Sequence, residues 1–589
     1  MLSRIAILMS GAARNPVLSL NFLEMTTLDQ LIDFTRTSAA TYVDATGKIV
    51  STPASRNLLT FTQEFNNAAW AKTAATVTAN AATAPDGTLT ADKLIENTAT
   101  GSHRIYQGIT TSSIPYTASA YLKKGERNWA YIRLDDSTSV SRHAWFNLDN
   151  GSVGTVETGL TATISSVGNG WYRCSARINA ALAGTSNILF GMASADNVQT
   201  YTGDGTSGVF LWGAQLEANT TATDYTRNFG GVFPPRFDYD PVTLAPRGLL
   251  VEEQRTNLLT YSEEFDNAAW SKTNITVSAN AILSPNGNTT ADKIEATASA
   301  VTILARTISV AATSAVASIY IKKGSGAGDA NKFGIRNSTT ATNLLQFTFN
   351  YDTGAISYLV GTSGASATDA GGGWWRLTFT ASSGITSGDS LTVWYGFWGS
   401  GETAAEFAYF WGAQLEAGAF ATSYIPTVAS QVTRTADVAT ITGANFSQWY
   451  NQSEGTFVVD ADSGGNVALI PIYRVLSAGG GGDTISLFMY NSKWGGAVRV
   501  GGVVQADLQV AGTYTANVPA KTSFAFKAND FAASVNGSAV LTDTSGTIPT
   551  VAALNLGSEG GSAPLNGHIR SIRYYNTRLP NAQLQALTA

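Results

Sequence analysis

The chain has 589 residues, a net charge of -6, 13% charged and 44% hydrophobic residues, and one Cys. At about 150 residues per domain this length implies three to four cores. The charge offers no general attraction to nucleic acid or to an anionic membrane, a lone Cys allows no internal disulfide framework, and no apolar run approaches the roughly 18 residues of a membrane-spanning helix.

Gly is plentiful at 57 residues, aromatics make up 10%, and Thr and Val are abundant. That mixture favours short strands joined by tight turns, so an all-β protein is expected. The opening MLSRIAILMSGAARNP places Arg4 before a short apolar run ending in Gly11-Ala12-Ala13. A secretion signal has this layout too, but the run is marginal in length, and an N-terminal strand or attachment segment is the expectation. Residues 1–54 then comprise that segment and a linker hairpin around FTRTSAATYVDATGK, starting at Phe34.

Next comes a module that occurs twice. NLLTFTQEFNNAAWAKT from Asn57 matches NLLTYSEEFDNAAWSKT from Asn257 at 12 of 17 positions. The match continues in collinear order through APDGTLTADK and SPNGNTTADK, YLKKG and YIKKG, FNLDNG and FNYDTG, GWYR and GWWR, and WGAQLE in both copies. This is a domain duplication. The modules are assigned to residues 55–229 and 255–427, each with strands of 5 to 8 residues separated by Asp-Gly, Asn-Gly or Thr-Gly turns, the pattern of two-sheet β folds. Alternation puts Tyr172, Cys174 and Ala176, with Trp375, Leu377 and Phe379, on a core face. Cys174 therefore reads as a small buried hydrophobe.

Residues 230–254 contain Pro234, Pro235, Pro241 and Pro246 and read as a stiff, extended connector. Residues 428–445 form a second linker whose TRTADVATITG echoes the segment at Phe34. Residues 446–589 form a third β domain ending in a short amphipathic helix, NAQLQALT, with Pro580 suited to its first turn.

Aromatic side chains are the candidate ligand contacts, because sugar rings stack on exposed indole and phenol faces. Trp70, Trp270, Trp212 and Trp411 are shared by both copies and read as core. Trp171 and Trp374 fall on the polar face beside Arg173 and Arg376, where a ligand platform competes with an Arg packed over the indole. Unshared aromatics discriminate better. In LTVWYGFWG, alternation sets Trp394 and Trp398 on one face, so they are the preferred ligand aromatics, with a subunit interface as the alternative. Trp494, with Tyr490 and Lys493, sits in a turn-like stretch and is a further candidate.

NLLTYSEEFDNAAW resembles the opening of jelly-roll carbohydrate-binding modules. FTRTSAATYVDATGK, PRFDYDPVTLAPRGLLVEEQRTNLL and the repeated EFDNAAW modules together resemble bacteriophage tail-fibre and capsid-appendage proteins, with the first module looking like an insertion between the two linker motifs. The last domain is similar to concanavalin-like and laminin-G-like sandwiches through FAFKANDFAASVNGSAV and LNGHIRSIRYYNTRLPNAQLQAL. These resemblances imply tandem jelly rolls plus a concanavalin-like sandwich, and a virion appendage (tail fibre, tail tip or capsid fibre) that adheres to host-surface polysaccharide or lipopolysaccharide. They imply a homotrimer held to other virion proteins through the N-terminal region, without nucleic-acid binding or membrane insertion. A purely architectural virion protein is the alternative, and a polysaccharide depolymerase a third reading.

No cofactor is expected. The jelly-roll family often holds a structural calcium near its opening strand, where Glu64, Glu264 and Asp266 lie, but the last strand WGAQLE lacks the family's Asp and offers only Glu217 and Glu416. Gly388-Asp389-Ser390-Leu391 matches the nucleophile block of GDSL-type esterases, yet the only later His is His568, with Leu565 three residues before it. The Asp-x-x-His partner is absent, the repeat places this block at a turn, and no catalytic residue is assigned.

Overall fold

The structure, a computed structural model, describes residues 15–29, 31–52, 57–135, 140–178, 182–228, 230, 233–325, 331–397, 405–464, 472–490, 493–510, 514–559 and 563–589. It is an all-β protein of antiparallel sandwiches, as the composition predicts, with helices only at Gly443–Ser447 and Asn581–Thr588 among the described residues. The chain divides into two compact units, one spanning Pro53–Pro234 and the other joining the N-terminal segment up to Thr52 to Pro235–Ala589.

The first unit is module 1. One sheet runs in the order Leu160–Gly168, Trp171–Ile178, Thr117–Lys124, Gly208–Glu217, Ala91–Glu96, Ala75–Ala82. The other runs Ser152–Val156, Ser141–Asn147, Trp129–Asp135, Leu182–Ala193, Thr100–Ile114, Thr200–Thr202. Their inner faces enclose Trp70, Ile105, Ile132, Phe146, Cys174, Phe190 and Leu211. Cys174 is fully buried, and burial raises its thiol pKa well above the ordinary value. Module 2 repeats the arrangement around Trp270, Phe333, Phe347, Leu377, Tyr395 and Phe410.

The motifs common to both copies turn out to be hydrogen-bonding devices. Asn57 donates to the Ala214 and Thr226 carbonyls, both at 2.9 Å, and accepts from the Leu59 and Leu216 amides. Asn257 does the same with Ala413, Ile425, Leu259 and Leu415. Asp92 accepts the Phe65 and Asn80 amides at 2.8 Å, and Asp292 those of Phe265 and Asn280 at 2.9 Å, so the TADK strand pins the EFNNAAW segment. Trp212 and Trp411 donate to Thr90 and Thr290 at 3.0 Å. Each buried polar atom met in this way avoids a desolvation penalty of about 1–3 kcal/mol, which accounts for the identity of the repeats at these positions.

The second unit departs from the expected boundaries. The last sandwich is not built from residues 446–589 alone. Leu18–Asn21 pairs with Ser571–Tyr574, and Leu249–Val251 pairs with Gly567–Ile569 on the same terminal strand. In the opposing sheet Asp33–Thr35 pairs with Val438–Thr440, which continues onto Ala553–Leu556. The proline-containing connector is a β-hairpin, Arg236–Tyr239 with Pro246–Val251, and not an extended spacer. Its prolines lie at the strand start or outside the ladder, where no backbone N–H is needed. Gly496 sits at a close approach of the two sheets, since a Cβ there would stand 2.2 Å from the Phe524 ring. The terminal helix docks through Leu584, and Pro580 stands at its N-cap, one place before the first turn.

Two buried ionic clusters hold these distant segments. Asp437 takes Arg36 Nη1 at 2.7 Å and Arg236 Nη2, and it also accepts the Glu252 amide at 2.9 Å. Arg236 reaches Glu252 at 2.7 Å, and Glu252 receives the Ser423 amide and hydroxyl of module 2, both at 2.7 Å. Arg434 lies 3.5 Å from Glu252. Burial alone would raise the Asp437 and Glu252 carboxyl pKa values, but the guanidinium groups hold both below the usual carboxylate range. The linker motifs therefore supply the charged residues of one hub.

In the second cluster His568 lies between Asp462, 2.9 Å from Nδ1, and Asp238 of the connector hairpin, 3.0 Å from Nε2. Burial would lower its pKa, but the two carboxylates outweigh that and push it from 6.5 up to about 10. A raised folded-state pKa means that the stabilisation is complete below pH 6.5 and is lost as pH rises through about 10. Thermal melts are expected to show the second unit losing stability steadily from pH 7 to pH 10, and His568→Gln is expected to flatten that slope; an unchanged slope in H568Q would refute the assignment.

Candidate functional site

The residues singled out from sequence do not form an open platform. Trp171 is 1% exposed, Trp374 4%, Trp394 6% and Trp494 5%, which leaves no free ring face for stacking. Trp171 donates to the Thr83 carbonyl at 3.0 Å and packs on Trp212, while Trp374 packs among Tyr320, Trp411 and Tyr424. Lysine and not arginine covers these indoles: Lys123 and Lys322 each sit 6.0 Å above the ring, whereas Arg173 and Arg376 lie over Tyr121 and Tyr320. Trp394 does point to the outer face, opposite Tyr395, but it lies flat over Gly334, where a Cβ would meet the indole at 2.6 Å. Trp398 lies outside the described residues. Trp494 belongs to a strand, Lys493–Val500, and not to a turn; Tyr490, at the end of the partner strand, is half-buried.

The opening carboxylates do not assemble a calcium site. Glu64 pairs with Arg227 at 2.5 Å, and Glu217 and Glu416 accept the amide and hydroxyl of Thr223 and Thr422. Among the described residues no group of three or more His, Cys, Asp or Glu is placed to hold a metal. Ser390 begins a strand, and the preceding Asp389 carboxylate accepts the Thr386 amide at 2.8 Å and the Asn337 side chain at 2.7 Å, which is a turn geometry.

A different constellation stands on the outer face of module 1. Strand Trp129–Asp135 turns Ala130, Ile132 and Leu134 into the core and sends Tyr131 and Arg133 the other way. Strand Ser141–Asn147 turns Ala144 and Phe146 inward and His143 and Trp145 outward. Tyr131 is directly opposite Trp145. His143 stacks on Trp145 with centroids 5.0 Å apart and 23° between planes, and Tyr131 lies 5.7 Å from His143. Trp129 packs at the margin and is half-buried. Polar groups rim the rings: Arg133 grips Asp135 at 2.6 and 2.8 Å, and His143 Nδ1 lies 3.0 Å from Glu157.

This face is specific to module 1. Aligning the copies on FNLDNG and FNYDTG sets Thr348 at the place of Trp145 and Gln346 at that of His143, and the strand pairing sets Lys332 at that of Tyr131. Sequence reasoning sought unshared aromatics in module 2 and passed over those of module 1. The signal was present in the alternation of WAYIRLD and RHAWFN. Tyr131, His143 and Trp145 are as buried as the indoles above, at 0%, 5% and 1% exposure, so Trp129 is the ring of this set that stays partly open. No hydroxyl or thiol among the described residues hydrogen-bonds to His143 Nε2.

No protein-family model and no curated protein sequence matches the chain. Solved structures resemble parts of it. The CBM40 domain of the Ruminococcus gnavus IT-sialidase is 19% identical, covering 25% of this chain and 88% of its own, with a TM-score of 0.22. The CBM22-1-CBM22-2 tandem of Paenibacillus barcinonensis Xyn10C is 13% identical, covering 62% and 100%, with a TM-score of 0.19. Domains LG4-5 of the mouse laminin alpha1 chain are 9% identical, covering 46% and 86%, with a TM-score of 0.17. At these scores the likenesses add nothing to the sandwich architecture that the strand pairing already gives.

Proposed function

We propose that the chain is a non-enzymatic adhesive appendage of a virion, a tail fibre, tail tip or capsid fibre, whose module 1 contacts host-surface glycans. The observation that carries this reading is the divergence of the two copies. Residues common to both go to the cores and their hydrogen bonds, whereas module 1 alone bears Trp129, Tyr131, His143 and Trp145 on its outer face. The half-buried Trp129 ring at the margin of this set, with polar groups nearby, suits a saccharide, whose pyranose ring pairs an apolar face with hydroxyls. The linker motifs' resemblance to phage appendages supports the virion setting, with N-terminal attachment and a homotrimer. Joining several weak sites would raise avidity by about 10² to 10⁴ without new contacts.

A purely architectural role is the second reading, and the ionic hub favours it, because such a hub suits a load-bearing mount. The full-length chain on a glycan array and on host envelopes separates the two. Adhesion predicts binding that Trp129→Ala weakens at least about tenfold, the effect of losing one aromatic anchor. Absence of binding to every envelope and glycan would leave the architectural reading.

A further inference from the structure

One outer sheet face occurs in both modules and is covered in only one of them. In module 2, Tyr320, Trp374, Trp411 and Tyr424 are buried beneath the hairpin of Thr41–Val43 and Ile49–Ser51, with Val43 and Ile49 packed on them. Backbone bonds seat that hairpin. The Ile49 amide donates to the Pro285 carbonyl at 3.1 Å, and the Thr41 hydroxyl donates to the Tyr424 carbonyl. Two glycines make room for the linkers: a Cβ on Gly287 would stand 3.0 Å from the Lys48 side chain, and one on Gly371 2.7 Å from the Pro241 carbonyl oxygen.

Module 1 keeps this face and has no hairpin of its own unit over it among the described residues. Tyr121, Trp171, Trp212 and Tyr225 stand at the matching positions, with Tyr225 4.8 Å from Trp212 as Tyr424 is 4.7 Å from Trp411. Yet Tyr121, Tyr225 and Pro85 are partly exposed where Tyr320, Tyr424 and Pro285 are buried. A Cβ on Gly87 or Gly168, the counterparts of Gly287 and Gly371, would meet nothing within 4 Å. Val167, at the place of Ala370, is 42% exposed. Module 1 thus presents a seat whose occupied form is visible in module 2.

Charge says which occupant fits. In module 2, Ser423 donates its amide and hydroxyl to Glu252, and Arg236 donates to that hydroxyl at 2.8 Å. Module 1 has the exposed Asp224 there. Asn286, next to the glycine that Lys48 covers, becomes Asp86, whose Oδ2 has no hydrogen bond among the described residues, while Asp369 becomes Ser166. Negative charge has therefore moved to the positions that face Lys48 and Arg236. The linkers of a second copy would bring Glu252 against Asp224, like charge on like.

We propose that this face of module 1 is a mount for a basic β-hairpin of another protein. That hairpin sets β-branched side chains where Val43 and Ile49 lie in module 2, a Lys or Arg toward Asp86, and a second cation toward Asp224. The mount is independent of glycan adhesion, which is assigned to the opposite sheet.

The probes are fluorescein-labelled, disulfide-closed peptides of residues 40–52 carrying Ala40→Arg or Ala40→Glu. Position 40 adjoins Thr41, whose carbonyl accepts Arg236 at 3.0 Å beside Ser423. Fluorescence anisotropy with the full chain reads binding, the module 2 face being filled by its own hairpin. The A40R peptide is expected to bind at least about threefold tighter than A40E. Asp224→Lys is expected to reverse that order, and Val167→Asp to weaken both peptides about tenfold. Both positions are exposed, so the fold tolerates the changes. Absence of saturable binding, or binding that neither D224K nor V167D alters, overturns the mount. Self-association of the chain in light scattering that V167D abolishes would make a second copy the occupant and overturn the foreign partner. The effect of Trp129→Ala on envelope binding reports adhesion separately, so either reading can fail alone.

Discussion

Asp437→Ala is expected to destabilise the second unit by about 3–5 kcal/mol, because it strips the shared anion from a set of buried cations. Asp437 is fully enclosed and binds Arg36 and Arg236. With it gone, Arg36 loses its carboxylate and Glu252 is left to pair with Arg236 and Arg434, from segments some 400 residues apart in sequence. Such a loss is a large part of a typical domain's 5–15 kcal/mol. Urea unfolding followed by a probe in each unit would show it as a lowered midpoint for the second unit, with the transition of Pro53–Pro234 unchanged. Asp437→Asn, which keeps hydrogen-bonding capacity but removes the charge, is expected to fall between. A change below about 1 kcal/mol in D437A would mean that water reaches the guanidinium groups and that the hub contributes little.

The second large effect concerns independent folding. A fragment of residues 446–589 is expected not to fold cooperatively, whereas one spanning 53–234 is expected to melt in a single transition. The last sandwich takes Leu18, Leu20 and Phe22 from the N-terminal segment, Ile32 and Phe34 from the strand beside it, and Leu249, Leu250 and Val251 from the connector, all buried. At about 1.5–3 kcal/mol for each large apolar side chain, their removal outweighs the stability of an ordinary domain. The terminal strand would also expose the edge now paired with Leu18–Asn21 and Leu249–Val251. Module 1, by contrast, closes its own core. Circular dichroism and amide chemical-shift dispersion of the two fragments would decide; a well-dispersed, cooperatively melting 446–589 fragment would show that the borrowed strands are ornament.

Much of the module fold was legible because its signals are local. Period-two alternation set Cys174 and Leu377 on inner faces, and the collinear motifs exposed the duplication. The outer aromatics were harder. Alternation placed Trp394 opposite Tyr395 correctly, but it cannot reveal whether a second face is covered, and bare Gly334 lets the indole lie flat and closed. Comparing copies was the right method for finding a diverged face, and it pointed to module 2 because Trp394 and Trp398 stand within one short run, whereas Tyr131, His143 and Trp145 are split between two strands.

From residue order alone follow the all-β class, the duplicated module, the core positions and the terminal helix, since each depends on neighbours a few residues apart or on repetition. Only the tertiary structure decides that the N-terminal segment, connector and second linker are strands of the last sandwich, that their arginines share Asp437 and Glu252, and that the aromatic face belongs to module 1. Those facts depend on pairings such as Leu18 with Tyr574 and Arg36 with Asp437. A lone polar or proline-containing stretch looks the same whether it is solvated or docked, and only the geometry of its distant partners distinguishes the two.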